Sequence, residues 1–162
     1  MSYSKLSHNI KKRILKEINK YSLNAELIND DTELIVLLDF KNKQIKNDNI
    51  FLILSLTNYP FVVPEIGYII NNKKNSVSKI YRTCEILSDK MKEITDRECL
   101  HCSSYLCRYN WAPTNKIIDI VNEFLFIIDS KFRVVEKIYC DKIQDQLINR
   151  LPLNDFRISD YL

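Results

Sequence analysis

The chain has one glycine, Gly67, in 162 residues. Loops that cradle a phosphate need several glycines, because the backbone itself must approach the ligand. P-loop and Rossmann readings are therefore excluded. Long apolar runs are also missing: no stretch reaches the roughly 18 residues that a membrane span needs, so no membrane partner is expected. "MSYSKLSHNIKKR" at the start lacks the apolar centre of a signal peptide. A large excess of either charge is missing too. The formal net charge is +3, with Lys and Arg interleaved among Asp and Glu. The densest basic run, "IKKRILK", reads as the solvated face of a helix, and no nucleic-acid partner is expected. A reducing compartment, cytoplasmic or nuclear, is expected on this reading; structural disulfides are uncommon there. Five cysteines are also an odd number for a disulfide framework. The heavy use of Ile, Lys, Asn and Tyr fits an AT-rich genome, such as that of a protist, a parasite or a large DNA virus. In the viral case the compartments are those of the host cell.

What is present is a well-spread apolar content, 46% of the chain, which predicts one folded domain over residues 1–162 rather than disorder. In 4–21, Leu6, Ile10, Ile14 and Ile18 recur every fourth residue, with Leu15 and Tyr21 beside them, so an amphipathic helix is expected. Ser4 or Ser7 would cap it. The period then changes. "LNAELIN", "ELIVLLDF", "NIFLILSL" and "EIGYII" are short apolar runs parted by polar clusters, and they read as four antiparallel strands. Pro60 and Pro64 bracket the turn before the last, where strand pairing is disfavoured. Ile80, Cys84, Leu87, Met91 and Ile94 predict a helix over 77–95. Beyond Pro113, "TNKIIDIVNEFLFII" is a strongly apolar helix, whose Ile117, Ile118, Val121, Phe124, Leu125 and Ile128 should be buried. Residues 131–149 form a further amphipathic helix, stopped by Pro152, and "LNDFRISDYL" a short last turn. The order predicts an α+β fold: an N-terminal helix, a four-stranded antiparallel meander and C-terminal helices packed on one face. His8 is expected on an exposed helix face and Cys140 in the core.

One segment concentrates the rare residues. "RECLHCSSYLCRYNWAP", 97–113, holds Cys99, Cys102, Cys107, His101 and the only tryptophan, Trp111. It reads as an irregular loop, and three roles compete for it. Cys99-x2-Cys102-x4-Cys107 begins like a zinc knuckle, but the continuation at that spacing falls on Ala112, so Cys84 or His101 would have to supply the fourth ligand. A reactive thiol is the second role, since Arg97 and His101 stand near Cys99 and Cys102 in sequence and could lower a thiol pKa. Packing is the third, because cysteine often serves as a small apolar residue.

Taken together, the N-terminal helix ending "RILKEINKY", the meander, "YPFVVPEI", a Cys-Leu and "NWAP" resemble the ubiquitin-conjugating enzyme family. Tyr59, Pro60, Phe61 and Pro64 match its Tyr-Pro-Phe-x-x-Pro turn, Cys99–Leu100 its active-site Cys-Leu, and Trp111 and Pro113 its Trp-x-Pro before a main helix. The resemblance covers residues 5–130, with 131–162 as a C-terminal helical extension. It implies transfer of ubiquitin or a ubiquitin-like modifier through a cysteine thioester, with an activating enzyme and a ligase as partners. Cys99 is the implied nucleophile by its neighbour Leu100. Cys102, nine residues before Trp111 where Cys99 is twelve before it, is the alternative by spacing. The family's His-Pro-Asn is replaced by Arg82, Thr83 and Cys84. The oxyanion donor that the family's Asn supplies would then come from Asn110, Ser103, Ser104 or backbone N–H groups. The same departure fits a non-catalytic variant of the fold, which binds a protein partner as a scaffold, with zinc at Cys99, Cys102 and Cys107 as a stabilising option. No other cofactor is implied.

Overall fold

Ser7 starts the first helix. Its hydroxyl accepts the Ile10 N–H at 3.4 Å, and the helix α1 runs over His8–Tyr21. Ser22 takes a left-handed conformation (φ 50°), and the Leu23 N–H returns to the Ile18 carbonyl at 3.0 Å, closing the helix end. The structure, a computed structural model, describes residues 6–39, 50–81, 85–97 and 99–149. Ser4, Arg82, Thr83, Cys84, Pro152 and the expected last turn lie outside the described residues. The inward face of α1 buries Ile14, with Ile10 and Ile18 partly covered beside it. One acidic side chain, Glu17, is buried on the same face.

The sheet is an antiparallel meander of five strands in chain order: β1 (Ala25–Ile28), β2 (Glu33–Leu38), β3 (Ile50–Ser55), β4 (Glu65–Ile70) and β5 (Lys73–Ser76). Register explains the core face. Leu34, Val36 and Leu38 of β2 stand opposite Leu54, Leu52 and Ile50 of β3, and Leu52 and Leu54 stand opposite Tyr68 and Ile66 of β4. All eight of these side chains are buried. The β1–β2 turn runs through Asn29, Asp30 and Asp31, all at positive φ, which Asn and Asp tolerate better than most residues. The fifth strand corrects the expectation of four. Asn71 and Asn72 (φ 50° and 61°) make a two-residue hairpin that pairs Ile70 with Lys73. "KKNS" carries no apolar alternation because β5 is an edge strand; lysines there discourage pairing with another chain.

Two short helices, α2 (Ser78–Tyr81) and α3 (Glu85–Thr95), occupy the expected 77–95 helix, the residues between them lying outside the description. The two expected C-terminal helices are one, α4 (Ile117–Asn149), 33 residues and so roughly 50 Å long. Asp129 and Ser130 do not break it. Neither is a helix breaker, and the buried stripe passes through them: Ile117, Ile120, Val121, Phe124, Ile127, Ile128, Lys131, Val134, Val135, Ile138. Ile118 and Leu125, expected inside, are only partly buried; they sit seven apart on the flank of the stripe that Ile120 and Ile127 occupy instead. Phe124 meets Tyr68 of β4, ring centroids 5.7 Å apart, so the first half of α4 lies on the sheet. The helix also packs against α1 and α3. Among the described residues, no helix is long and apolar enough to cross a membrane. His8 is exposed, as expected; Cys140 is exposed on α4 rather than in the core.

Candidate functional site

The turn after β3 and the start of α4 are built around Glu17. Its carboxylate accepts the Ile117 N–H at 2.8 Å, the Arg13 Nε–H at 2.9 Å and the Tyr59 hydroxyl at 3.3 and 3.4 Å. An acid at a helix N-terminus satisfies an orphan N–H and favours the helix dipole. Arg13 also donates to the Pro113 and Asn115 carbonyls, each at 3.1 Å, and stacks on the Tyr59 ring at 5.3 Å. Burial, then the Glu17 charge, pushes the Tyr59 phenol well above its ordinary pKa, so it stays a donor. Tyr59–Pro60 is a cis peptide. The Pro60 carbonyl accepts the Trp111 indole N–H at 2.8 Å, and the Trp111 ring leans on Tyr59 at 6.2 Å. The Tyr-Pro-Phe and Trp-x-Pro stretches, 51 residues apart along the chain at this bond, are thus one assembly.

The thiol loop hangs between that assembly and α4. Arg97 pairs with the buried Glu123, its Nη1 2.6 Å from Oε1, and lies over the Phe126 ring at 4.2 Å. Leu100, Ser104, Leu106 and Cys107 point inward and are buried; Cys99, His101, Cys102, Ser103, Tyr105, Arg108, Tyr109 and Asn110 are exposed. A turn closes over the first thiols: the Ser103 N–H reaches the Cys99 carbonyl at 3.0 Å, and the Cys102 N–H reaches the Cys99 sulfur at 3.3 Å. The Asn110 amide clamps the same turn, donating to the Cys102 carbonyl at 2.6 Å and the Ser104 carbonyl at 3.1 Å.

This geometry separates the two exposed thiols. The Cys102 N–H first, then the Cys102 thiol, hold the Cys99 pKa below that of an ordinary thiol; slight burial opposes them, and the His101 N–H adds to the lowering. Cys102 is raised, because its thiol hydrogen-bonds to Cys99 and because ionising beside Cys99 sets two negative charges together. Cys99 is therefore the better nucleophile of the pair. The sequence neighbours expected to activate it act otherwise. Arg97 is turned away to Glu123 and Phe126, and His101 contributes through its backbone N–H.

The other expected site residues fall into place less favourably. Asn110 spends its amide N–H groups on two carbonyls, so it positions the loop rather than offering a donor to an oxyanion. Ser104 is buried, with its hydroxyl accepting the Leu106 N–H at 3.0 Å. Ser103 is exposed. Cys107 is buried while Cys99 and Cys102 are exposed, and among the described residues no three His, Cys, Asp or Glu side chains are grouped to hold a metal ion. The three cysteines thus do not fit a preformed zinc site here, and Cys84 lies outside the description. Glu17 and Arg13 escaped sequence reasoning. Their one signal was an acid on the apolar stripe of α1, four residues after an arginine. Among the described residues, one groove runs across β3–β5 beside the β1–β2 turn and another lies between α3 and α4; neither of these is lined by Cys99 or Cys102. Comparison with protein-family models, with curated proteins and with solved structures finds no match to this chain.

Proposed function

We propose that the chain transfers ubiquitin, or a related modifier, through a thioester on Cys99. The observation that carries this reading is the state of Cys99: exposed, held by the Cys102 N–H, and with a depressed pKa. A thiol on an open surface loop suits a macromolecular acyl donor better than a small molecule, which would need a pocket. In the first step the Cys99 thiolate attacks the thioester carbonyl of the modifier carried by an activating enzyme. The new C–S bond forms, and the donor's cysteine leaves as thiolate. In the second step a substrate lysine amine attacks the Cys99 thioester, the amide bond forms, and the Cys99 thiolate departs while the amine proton passes to solvent. The Tyr59–Pro60–Trp111 assembly supports the reading as the rigid base from which the loop springs.

A second reading has its own observation. Among the described residues, Asn110 spends its amide N–H groups on two carbonyls and Ser104 is fully buried, so neither stands ready for an oxyanion. Phe61, Tyr105 and Tyr109 are exposed large side chains of the two segments that Trp111 joins. A non-catalytic scaffold that binds a protein partner would have these features.

The decisive experiment is incubation with ubiquitin-activating enzyme, ATP and labelled ubiquitin, resolved without reductant. The thioester reading expects an adduct that survives denaturation and disappears with excess thiol. Cys99→Ser should leave a thiol-resistant oxygen ester, and Cys102→Ser the ordinary thioester. The reverse pattern moves the nucleophile to Cys102. No adduct from folded protein, with ubiquitin or with other modifiers and their activating enzymes, favours the scaffold.

A further inference from the structure

Cys99 and Cys102 are more than a nucleophile and its neighbour. They stand three residues apart in a single turn closed by the Ser103 N–H to the Cys99 carbonyl, and both face solvent. The Cys102 N–H touches the Cys99 sulfur at 3.3 Å, so the backbone of the second cysteine already lies against the sulfur of the first. Residues three apart in a helical turn have Cβ atoms roughly 5–6 Å apart, and a disulfide needs about 3.5–4.5 Å. Closure thus takes a small tightening of this turn. The loop's side chains Leu100, Ser104, Leu106 and Cys107 are buried, while Cys99 and Cys102 stand outside the core.

We propose that Cys99 and Cys102 form a reversible disulfide when a hydroperoxide reaches this loop, and that closure removes the thiol on which acyl transfer depends. The second half rests on the thioester reading; the first half does not. The chemistry balances within the loop. The Cys99 thiolate attacks one oxygen of the hydroperoxide, the O–O bond breaks, and the alkoxide leaves and takes a proton from solvent. Cys99 is then a sulfenic acid. The Cys102 sulfur attacks the Cys99 sulfur, the S–S bond forms, the S–O bond breaks, and hydroxide leaves with the thiol proton as water. Two thiols and one hydroperoxide give one disulfide, one alcohol and one water; the sulfurs supply both electrons. A low-pKa, exposed thiol beside a resolving cysteine is the arrangement that reacts this way reversibly, and the lowered Cys99 and raised Cys102 pKa values assign the attacking and resolving roles in that order. Buried Cys107 is sheltered from the oxidant.

The test uses the full chain, freed of reductant and treated with tert-butyl hydroperoxide, then denatured, alkylated and cut with trypsin. Cleavage after Arg97 and Arg108 leaves Cys99, Cys102 and Cys107 in one peptide. The proposal expects that peptide to lose two hydrogens and take one alkyl group, on Cys107, with dithiothreitol restoring three. Cys102→Ser should instead trap Cys99 as a sulfenic acid that dimedone labels, and then as irreversible sulfinic acid. Three alkyl groups after oxidation, or a bridge to Cys107, would overturn the pairing. In the charging assay, oxidised protein should form no adduct until dithiothreitol has reopened the bridge and been removed; charging that continues with the bridge closed overturns the switch. A bridge that forms in a protein whose reduced form never charges sustains the pair and goes against the thioester reading, so the two failures are distinct.

Discussion

Replacing Glu17 by Gln tests whether the acid on α1 organises the base of the thiol loop. The carboxylate accepts from Ile117, Arg13 and Tyr59 with a side chain only 10% exposed. A glutamine keeps one acceptor oxygen and turns the other into a donor. Either the Ile117 N–H at the head of α4 or the Arg13 Nε–H must then face an N–H, while the Tyr59 hydroxyl, within reach of both oxygens, keeps an acceptor. One charge-assisted hydrogen bond is lost, about 1.5–3 kcal/mol, and a buried donor is left facing a donor, about 1–3 kcal/mol. Loss of negative charge at the α4 N-terminus adds about 0.3–1 kcal/mol. These terms overlap, and Arg13 keeps its bonds to Pro113 and Asn115, so the net cost is on the order of 3 kcal/mol. With a urea slope of about 2 kcal/mol per molar, the unfolding midpoint should fall by about 1.5 M. Tyr59→Phe removes one partner of the same cluster, and the double variant should cost less than the sum by about 0.5–3 kcal/mol. A midpoint unchanged to within about 0.25 M would refute the reasoning, since that corresponds to about 0.5 kcal/mol and means that water replaces Glu17 at no cost.

Phe124→Ala removes a fully buried ring that meets Tyr68, and should cost about 3–5 kcal/mol by chemical denaturation, with a neutral result placing α4 outside the core. The pH dependence of alkylation should separate the exposed thiols. A lowered pKa means more thiolate at a given pH, so Cys99 should reach half its limiting iodoacetamide rate at lower pH than Cys102, and Cys99→Ser should bring the Cys102 midpoint down, because Cys99 is the largest cause of its rise, ahead of burial and Cys107. Equal midpoints in mass-resolved labelling would remove the asymmetry. Added zinc should leave the Cys99 alkylation rate unchanged, since the described thiols form no ligand cluster; protection with one zinc per chain by elemental analysis would restore the knuckle.

The helix and strand periods were legible wherever a face is half buried. α1 and β2–β4 stand where alternation and fourfold spacing place them. The misreadings have physical causes. β5 has no apolar pattern because it is an edge, and only the Asn71–Asn72 turn marks it. Asp129 and Ser130 interrupt the hydropathy of α4, so by sequence pattern alone it reads as two helices. Ser130 and Lys131 are nonetheless buried within the stripe, so the helix continues through them. At the site, sequence proximity misled. Arg97 stands two residues from Cys99 and yet spends its charge on Glu123, because a buried carboxylate attracts it more strongly than an exposed thiol can. The influence on Cys99 comes from backbone N–H groups, which every residue carries and no motif records.

An irregular loop can present a thiol in a defined way only if its ends and its interior are held by rigid elements. Here Arg97 ties the beginning to α4, Leu100, Leu106 and Cys107 enter the core, and Trp111 ties the end to Pro60. The Asn110 clamp joins the turn that carries Cys99 to the stretch that Trp111 anchors. The hydrogen bond to the Cys99 sulfur is therefore inherited from the Glu17–Tyr59–Trp111 base through backbone geometry. That separates fold damage from chemistry. A weakened base should loosen the turn and carry Cys99 back toward an ordinary thiol, whereas Cys102→Ser keeps the backbone donor and so should leave much of the lowering in place. The division follows from the order of causes at Cys99, in which the Cys102 N–H comes before the Cys102 thiol.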